Sequence, residues 1–478
     1  MATTVQRITK NFAILAAAQV CANLLALVVM LYLARTLAVG DFGLVNFALA
    51  VLAYFMLIPN AGLPLLGTRE VARDEARIKD YASTILTLRL TLSAVSFCLL
   101  LLLAAVLNQP LETKYLLALY GLCLLPTAFF FDWVFQGIQR MEFIGAARVL
   151  QWALYLGLIL GLVKGSEQLL AVPLLYFGGI SVAALFLLVL FIRRFGRPSF
   201  RIDLRIWKDL LKQALPMGFS FFMVMLYTNF DTIMLQFMRG GEEVGYYNAA
   251  YKIILFLTGL GSLYYTAIFP PLSSLYKTSL EAMRRLLSAT AKLAVILVLP
   301  LAVGGTILAR PIMNLLYGNR YDGGIIALQI LIWVVAVILV SSMYGLSLIA
   351  SDRQNRFALA LGVGAGVNLI LNLALIPLYG LMGAAIATLV TEVVVFSLVY
   401  RYFSQIVSIP LRGRLLRPAL ACVGMAAFLY FCPSWNVILL TALGAALYFA
   451  LLFLLGGIER REIYLVWEQL VPRRGSHG

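Results

Sequence analysis

Apolar runs of about 20 residues recur along this chain from one end to the other, and each can cross a hydrocarbon core of roughly 30 Å as a helix. Residues 99–106 and 183–192 are continuously apolar, whereas the strands of a membrane β-barrel alternate apolar and polar residues. Because 63% of the 478 residues are hydrophobic and 12% are charged, lipid must be the solvent for most of the chain. The sequence predicts an all-α integral membrane fold.

Hydropathy predicts about fourteen transmembrane helices. The connections between them are too short for a soluble domain, so function is expected within the membrane or at its surfaces. The predicted helices centre near Val20, Val51, Val95, Leu124, Leu154, Ala183, Val224, Leu257, Val298, Val337, Val367, Val390, Met425 and Leu447.

The net charge of +16 is spread over short loops and does not form one basic face, so a nucleic-acid partner is not expected. The basic loops fall on one side of the membrane when the N-terminus is placed inside, at 69–79, 193–212, 277–292, 412–417 and 460–474. Cytoplasmic loops carry the excess of Lys and Arg in membrane proteins. Both termini are therefore predicted to be cytoplasmic.

An internal repeat relates residues 41–48 to residues 243–250, with an acidic residue, Gly, Asn and Ala at equal spacing. Each copy lies where the first predicted span of a half is followed by the second. The repeat predicts an N-lobe of spans 1–6 at 1–199 and a C-lobe of spans 7–12 at 200–405. Residues 406–478 then hold spans 13 and 14 and a cytoplasmic amphipathic tail.

Two amphipathic segments are predicted to lie along the membrane interface. The first carries Ile202, Ile206, Leu210 and Leu211 between basic residues. The second is the tail, with Ile463, Val466, Trp467 and Leu470. Ordinary connectors of this character explain both segments without a special role.

Residue types needed for common enzyme chemistry are missing from the sequence. It has no G-x-x-x-x-G-K-[ST] phosphate-binding loop, and its one histidine is His477, next to the end. The five cysteines lie in apolar runs without metal-ligand spacing and are interpreted as packing residues. A transporter without an ATPase motif, a metal or an organic cofactor is expected, with energy taken from an H⁺ or Na⁺ gradient or from a partner.

Ionisable residues within the spans are the candidates for the transport site, because each costs roughly 2.5–3.5 kcal/mol at a helix centre. Arg89 lies deep in the third span, where its guanidinium can bind phosphate or join a salt bridge between helices. Asp231 and Glu392 can exchange a proton during transport or form internal ion pairs. Lys252 and Asp132 lie closer to span ends, where a structural role is favoured.

Several short motifs, in their order along the chain, resemble the polysaccharide transporter family. This family, of the Wzx-type O-antigen flippases, belongs to the multidrug/oligosaccharidyl-lipid/polysaccharide superfamily. The order and spacing of the motifs together carry the resemblance. The motifs are residues 33–43, 67–73, 229–235, 243–250, 315–318, 368–372 and 380–388.

The resemblance implies two lobes around a central cavity that rock between inward-open and outward-open states. It implies an undecaprenyl-pyrophosphate-linked oligosaccharide as cargo, with the glycan in the cavity and the lipid tail outside between helices. The family's cavities are often cationic, and Arg89 and Lys252 match that property; Asn229 and Asn248 are added as candidate cavity residues. The implied location is a bacterial inner membrane, and the implied protein is a monomer that works beside a glycan polymerase and chain-length proteins.

Three alternatives remain at the level of sequence. A lipid II flippase and an exporter of drugs or cations belong to the same superfamily. A membrane-embedded glycan polymerase or ligase would act on the same lipid-linked glycan, but such enzymes are expected to have a long periplasmic loop. The outward loops here, at 239–247 and 310–323, are short.

Overall fold

The computed structural model describes residues 4–200, 202–407, 409, 412–432 and 435–457. These residues form seventeen α-helices and three short 3₁₀-helices, and no strand occurs among them. The prediction of an all-α membrane fold is confirmed. The predicted amphipathic tail at 463–470 lies outside the described residues.

Ten α-helices precede residue 240, joined in places by 3₁₀-helices at Glu75–Arg77 and Ser166–Gln168. The helices are α1 Thr4–Thr36, α2 Val39–Asn60, α3 Leu63–Arg73, α4 Ile78–Val106, α5 Leu111–Gly121, α6 Leu124–Thr127, α7 Asp132–Gly137, α8 Met141–Leu162, α9 Ala171–Phe195 and α10 Leu204–Arg239.

Seven α-helices follow, with a 3₁₀-helix at Asn319–Gly324. They are α11 Gly241–Thr278, α12 Leu280–Ile307, α13 Ala309–Tyr317, α14 Ile325–Ala350, α15 Gln354–Ser404, α16 Arg412–Phe431 and α17 Val437–Leu454.

Each of the fourteen predicted span centres lies in one of these helices. Within the described ranges, 9 helical stretches are long and apolar enough to cross a membrane, and Leu415–Phe431 is a shorter apolar helix. Two of the predicted centres, Val367 and Val390, share the 51-residue helix α15.

Helix α15 is divided by Gly380, whose φ of 56° and ψ of −133° interrupt the helical backbone. A side chain is strained in this conformation, so glycine fits the turn. The two halves then pack on each other closely enough that a Cβ on Gly383 would lie 2.4 Å from the carbonyl oxygen of Leu375. The single long helix therefore supplies two of the predicted spans.

The fourth predicted span is broken into α5, α6 and α7. The hydrogen bonding changes to the 3₁₀ type just before Pro126. The amides of Leu122, Cys123 and Leu125 each donate to the carbonyl oxygen of the residue three positions earlier. Proline has no N–H to donate, and such short-range bonds are common where an α-helix ends. The break leaves the carbonyl of Phe130 free to accept a bond from another helix.

Helix α10 begins within the first predicted interfacial segment. Asp203 caps it by accepting bonds from the amides of Arg205 and Ile206, and Trp207, Leu210 and Ala214 form its buried stripe. Ile202 and Ile206 are exposed. The segment is therefore the start of a continuous 36-residue helix packed on the protein core and not a separate interfacial helix.

The chain divides into two compact units, Met1–Gly245 and Tyr246–Gly478. Helix α10 is thus part of the first unit, whereas the sequence repeat places the lobe boundary near residue 199. The repeat indicates which segments of the sequence are similar to each other, whereas the compact units reflect which helices pack together. The two kinds of boundary need not coincide, so the predicted lobes at 1–199, 200–405 and 406–478 stay predictions.

Each unit has its own apolar core. In the first unit Leu63, Trp133 and Phe191 belong to one buried cluster, and the rings of Phe131 and Phe191 stack at 4.4 Å. In the second unit one cluster surrounds Tyr344 and Phe403, and another joins α12, α16 and α17 around Tyr448. These cores hold the helices that carry the candidate site residues.

Candidate transport site

Arg89 is a deeply buried cation of the first unit, with 3% of its surface exposed. Its Nη1 donates to the carbonyl oxygen of Phe130 at 3.0 Å, and its Nη2 donates to Oδ1 of Asn60 at 3.2 Å. Both acceptors lie where a helix stops, at the break between α6 and α7 and at the last residue of α2. Arg89 therefore ties two helix ends to α4, and phosphate binding by Arg89 stays a prediction.

Asp132 is the first residue of α7 and is half-buried. Its carboxylate interacts electrostatically with the guanidinium groups of Arg89 and Arg148. The N–H groups of the first helical turn also favour a negative charge at this position. The structure thus brings Asp132 and Arg89 together, and the structural role favoured for Asp132 stays a prediction.

Asp231 lies on α10 and is 3% exposed, beside the equally buried Thr232. It is close enough to Tyr54 of α2 for the two groups to interact electrostatically. Asn229 is half-buried, and its Nδ2 donates to Oγ1 of Thr228 at 3.0 Å and to Sδ of Met225 at 3.4 Å. The donors of Asn229 are thus engaged within its own helix.

In the second unit, Asn248 and Lys252 lie one turn apart on α11 and so share a face of the helix. Asn248 is 4% exposed and Lys252 is half-buried. In the part of the chain that the structure describes, the ammonium of Lys252 has no hydrogen bond or ion pair. A positive charge in this setting favours a negatively charged ligand.

Glu392 lies in the second half of α15 and is 5% exposed. Its carboxyl group makes no hydrogen bond or ion pair with any residue of the described ranges. The adjacent Thr391 donates to the carbonyl oxygen of Ala387 at 2.7 Å and so does not serve as a donor to Glu392. Burial of an unpaired carboxylate is costly, so the neutral acid is the form that fits this position.

Sequence reasoning missed a buried amide pair in the first half of α15. Nδ2 of Asn372 donates to Oδ1 of Asn368 at 2.9 Å, and the two residues are 0% and 1% exposed. Nδ2 of Asn368 has no partner within the described residues. The signal was present, because two amides four residues apart in an apolar span must share a buried helix face.

The first unit contains an apolar cavity of about 740 Å³ between α2, α4 and α10. Tyr54, Leu92 and Gly218 are among the residues that line it. Tyr54 is the residue near Asp231, and Leu92 lies one turn beyond Arg89 on α4. Asp231 and Arg89 are thus near residues that line the cavity, whereas neither of the two is among its lining residues in the described part of the chain.

The second unit contains a more enclosed cavity of about 420 Å³. Its wall is apolar and comes from α11, α12, α14, α16 and α17, with Leu257, Leu301 and Phe449 among the lining residues. The hydroxyl of Tyr448 donates to the carbonyl oxygen of Ile296 at 2.9 Å, so this polar group is already satisfied. The cavity is suited to a hydrocarbon chain.

The repeat copies at 41–48 and 243–250 come into contact within the first unit. A Cβ on Gly43 would lie 1.8 Å from the carbonyl oxygen of Gly241 and 2.8 Å from the amide nitrogen of Gly245. A Cβ on Gly245 would lie 2.2 Å from the carbonyl oxygen of Val39. The glycines shared by the two copies thus allow α2 and α11 to touch through their backbones.

Comparison with known proteins agrees with the motifs quoted above. The family described as "Polysaccharide biosynthesis protein" matches residues 8–276, more than half of the chain. The chain is 24% identical over 402 residues to a "Putative O-antigen transporter" of Escherichia coli (strain K12), covering 82% of this chain and 96% of the relative. It is 28% identical over 380 residues to a protein of the same description from Shigella dysenteriae, covering 77% and 93%.

Among solved structures, the fold is similar to "Lipid II flippase MurJ, inward closed conformation", with a TM-score of 0.76. The match covers 94% of this chain and 99% of that structure at 13% identity, so it shows the shared fold alone. The relatives by sequence are described as transporters, which confirms the prediction of a transporter and not an enzyme. The chain belongs to the polysaccharide biosynthesis protein family.

Proposed function

We propose that this protein is a flippase that moves an undecaprenyl-pyrophosphate-linked oligosaccharide from the cytoplasmic to the periplasmic leaflet by alternating access. The cargo would be a repeat unit of O-antigen, capsule or exopolysaccharide. The observation that carries the proposal is the family match together with two O-antigen transporter relatives that align over nearly their whole length.

The apolar cavity beside α16 and α17 supports the part of the proposal that concerns the lipid tail. A polyprenyl chain offers no hydrogen bonds, so it requires a surface without unsatisfied polar groups. The lining residues Leu301, Met425 and Phe449 meet that requirement. We assign part of the tail to this cavity, outside the path of the glycan.

The pyrophosphate needs cations, and the two candidates differ in their surroundings. Lys252 has no protein partner in the described ranges, whereas Arg89 already donates to Phe130 and Asn60. Lys252 is therefore proposed as the first contact of the pyrophosphate, and Arg89 as a second contact in a state where its present bonds open. Asn229 and Asn248 are proposed to bind hydroxyl groups of the glycan.

Coupling to an ion gradient is proposed to use Glu392 and Asp231. Glu392 can alternate between a buried neutral acid and a hydrated carboxylate as the protein changes state. One charge crossing 100 mV is worth about 2.3 kcal/mol, enough to bias a transport cycle. The coupling ion is proposed to be H⁺, with Na⁺ as the alternative.

The proposed setting is a bacterial inner membrane, with both termini cytoplasmic and the protein acting as a monomer. The orientation is supported by the basic residues of the loops at 69–79 and 277–292, which the positive-inside tendency places in the cytoplasm. A glycan polymerase and chain-length proteins would then use the translocated unit on the opposite face.

Deletion of the gene in its host tests the proposal. The expected result is loss of surface polysaccharide, with lipid-linked repeat units accumulating in the cytoplasmic leaflet. Re-expression of the gene should restore the surface polysaccharide and remove the accumulated repeat units. Unchanged surface polysaccharide with new sensitivity to cationic drugs would instead identify an exporter. Arrest of cell-wall synthesis with lipid II accumulation would identify a lipid II flippase.

A further inference from the structure

The apolar cavity of the first unit is open along helix α10. Its volume is about 740 Å³, and its wall includes Leu211 and Leu215 of α10 and Leu92 of α4. Leu215 is 56% exposed, so the cavity can be entered from beside this helix. Tyr54 is the one lining residue with a polar side chain in the part of the chain that the structure describes. No role described so far uses this cavity.

Two lysines continue the cavity-lining face of α10 toward its N-terminal end. Lys208 lies three residues before Leu211, and Lys212 lies three residues before Leu215. Residues three or four apart are neighbours on a helix surface. Both lysines are exposed, and neither has a hydrogen bond or ion pair with any described residue. The apolar cavity thus has two unpaired positive charges at one end.

Acidic residues near the lysines do not cancel these charges. Asp209, next to Lys208, is exposed and makes no ion pair within the described ranges. Glu70 of α3 pairs with Arg69 at 2.8 Å, and Nη2 of Arg69 also donates to Oε1 of Gln213 at 3.2 Å. Arg69 and Glu70 balance each other, and one carboxylate then faces two ammonium groups. This end of the cavity is therefore positively charged.

The same turns of α10 have the composition of a helix at the membrane boundary. Leu204 and Ile206 are 72% and 47% exposed, close to Lys208 in the chain. Exposed aliphatic side chains among basic residues are typical of the level where lipid head groups meet acyl chains. Lysine fits this level because its stem can lie on apolar surface while its ammonium stays in water. We therefore expect lipid at the entrance of the cavity.

We propose that this cavity binds an anionic phospholipid, with one acyl chain between α2, α4 and α10 and the head-group phosphate at Lys208 and Lys212. An acyl chain needs an apolar surface, and an anionic head group is attracted by basic residues at the membrane surface. Lys208 and Gly218 are separated by ten residues, roughly 15 Å along the helix. That span is comparable to the roughly 15 Å of hydrocarbon in one leaflet. The proposal does not depend on the cargo, because this phospholipid is bound and not transported.

Occupancy of the cavity should stabilise the first unit. Helices α2 and α10 meet beside it, where a Cβ on Gly62 would lie 2.2 Å from the carbonyl oxygen of Ala214. An acyl chain in the cavity adds apolar contacts to both helices. Because a ligand that binds only the folded protein raises its melting temperature, the bound phospholipid should do so here.

Lipid binding to the purified full-length protein tests the site. Dioleoyl phosphatidylglycerol is titrated into the protein in a neutral detergent, with bound lipid counted by native mass spectrometry and the melting temperature followed in parallel. Dioleoyl phosphatidylcholine has the same chains without the net negative charge, and inorganic phosphate has charge without chains. Lys208→Gln together with Lys212→Gln removes the two cations. Lys277→Gln together with Arg284→Gln is the control, because these exposed basic residues lie outside the cavity.

A second pair of variants tests the cavity itself. Leu215→Trp enlarges a side chain that is already more than half exposed, so it should block the acyl chain with little effect on folding. Leu204→Trp is the matched control, because Leu204 is the first residue of α10, is 72% exposed and lies outside the cavity wall.

Phosphatidylglycerol should bind more tightly than phosphatidylcholine and should raise the melting temperature, whereas inorganic phosphate should not. The half-saturating concentration of phosphatidylglycerol should rise about 25-fold without Lys208 and Lys212, since each basic residue near an anionic lipid contributes about a factor of five. Leu215→Trp should lose the bound lipid and keep the melting temperature of the lipid-free protein. Both control variants should bind as the unmodified protein does.

Equal binding of the two phospholipids would overturn the proposal, and so would an equal loss of binding in the lysine variant and its control. Unchanged binding in Leu215→Trp would show that the acyl chain does not enter the cavity. A thermal shift with inorganic phosphate alone would identify an anion site without a lipid. Displacement of phosphatidylglycerol by a lower concentration of undecaprenyl phosphate would assign the cavity to the carrier lipid and exclude the phospholipid.

Discussion

Gly43 and Gly241 touch through their backbones, so closely that a Cβ on Gly43 would lie 1.8 Å from the carbonyl oxygen of Gly241. The contact joins the N-terminal part of α2 to the first residue of α11. Gly43 is the glycine of one repeat copy, and Gly241 lies just ahead of the other copy. In the proposed alternating-access cycle helix contacts form and break, and this contact tolerates no side chain.

Gly43→Ala should prevent this contact from forming. Overpacking of a close contact costs about 1–3 kcal/mol, so we expect a lower melting temperature and strongly reduced glycan export. Gly157→Ala is the matched control, because a Cβ on Gly157 of α8 would meet nothing within 4 Å. Normal melting and export in Gly43→Ala would show that the contact has no part in folding or transport.

Replacement of Arg89 should affect both transport and stability. The sequence alone predicts that Arg89→Ala impairs translocation at normal abundance. The structure adds that the carbonyl of Phe130 and Oδ1 of Asn60 would lose their donor, at about 1–3 kcal/mol for a buried unsatisfied group. Melting temperature and glycan export measured on the same preparation check both effects.

Asn60→Ala separates the two roles of Arg89, because it removes one acceptor and leaves the cation. If the hydrogen bonds alone matter, Asn60→Ala should reduce export as its melting temperature falls. If the charge binds phosphate, export should persist in Asn60→Ala and be lost in Arg89→Ala. Normal export from a well-expressed Arg89→Ala would remove Arg89 from the site.

Neutralisation of Glu392 should uncouple transport from the proton gradient. Glu392→Gln fixes the residue in a neutral form of nearly the same shape, so an ionophore that collapses the gradient should no longer change the initial rate in proteoliposomes. Asp231→Asn is expected to do the same. Glu281→Gln is the control, because the Glu281 side chain is 78% exposed and pairs with Arg285 on the same helix. Unchanged gradient dependence in both variants would exclude these residues from coupling.

The apolar cavity in the second unit should select for the length of the lipid tail. A Cβ on Gly304 would make ordinary contacts, with Met425 Cε at 3.7 Å, so Gly304→Leu fills the cavity without a backbone clash. We expect slower transport of the glycan on an undecaprenyl carrier and little change on a short-chain carrier. Gly161→Leu is the control, because a Cβ there would meet nothing within 4 Å. An equal effect on both carriers would place the tail elsewhere.

Hydropathy predicted the fold well because lipid offers no hydrogen-bond partners to the backbone of an apolar segment. The N–H and C=O groups of the segment must therefore bond to each other, which they do in an α-helix. Each predicted centre, including Val367 and Val390 on either side of Gly380, therefore lies in a helix. The local breaks were harder to predict. The carbonyl of Phe130 can accept a hydrogen bond from Arg89 because α6 ends at Thr127, just after Pro126. Every residue type has a backbone carbonyl, so the sequence does not indicate which one will accept such a bond.

The sequence indicated which ionisable residues lie within the spans, but it did not indicate which groups hydrogen-bond to them. Buried Arg89, Asp231 and Glu392 stand out because ionisable residues are rare in apolar spans. Which of them has a partner depends on helix packing, and packing gave Arg89 two acceptors and Glu392 none in the described ranges.

Translocation in a reconstituted system tests the central claim most directly. The purified protein is placed in liposomes that hold the host's undecaprenyl-pyrophosphate-linked repeat unit, and a membrane-impermeant glycosidase reports how much glycan reaches the outer leaflet. The account predicts faster exposure of this glycan than in protein-free liposomes, and slower exposure with Lys252→Gln. Exposure of lipid II or release of a cationic drug, without exposure of the repeat unit, would contradict it.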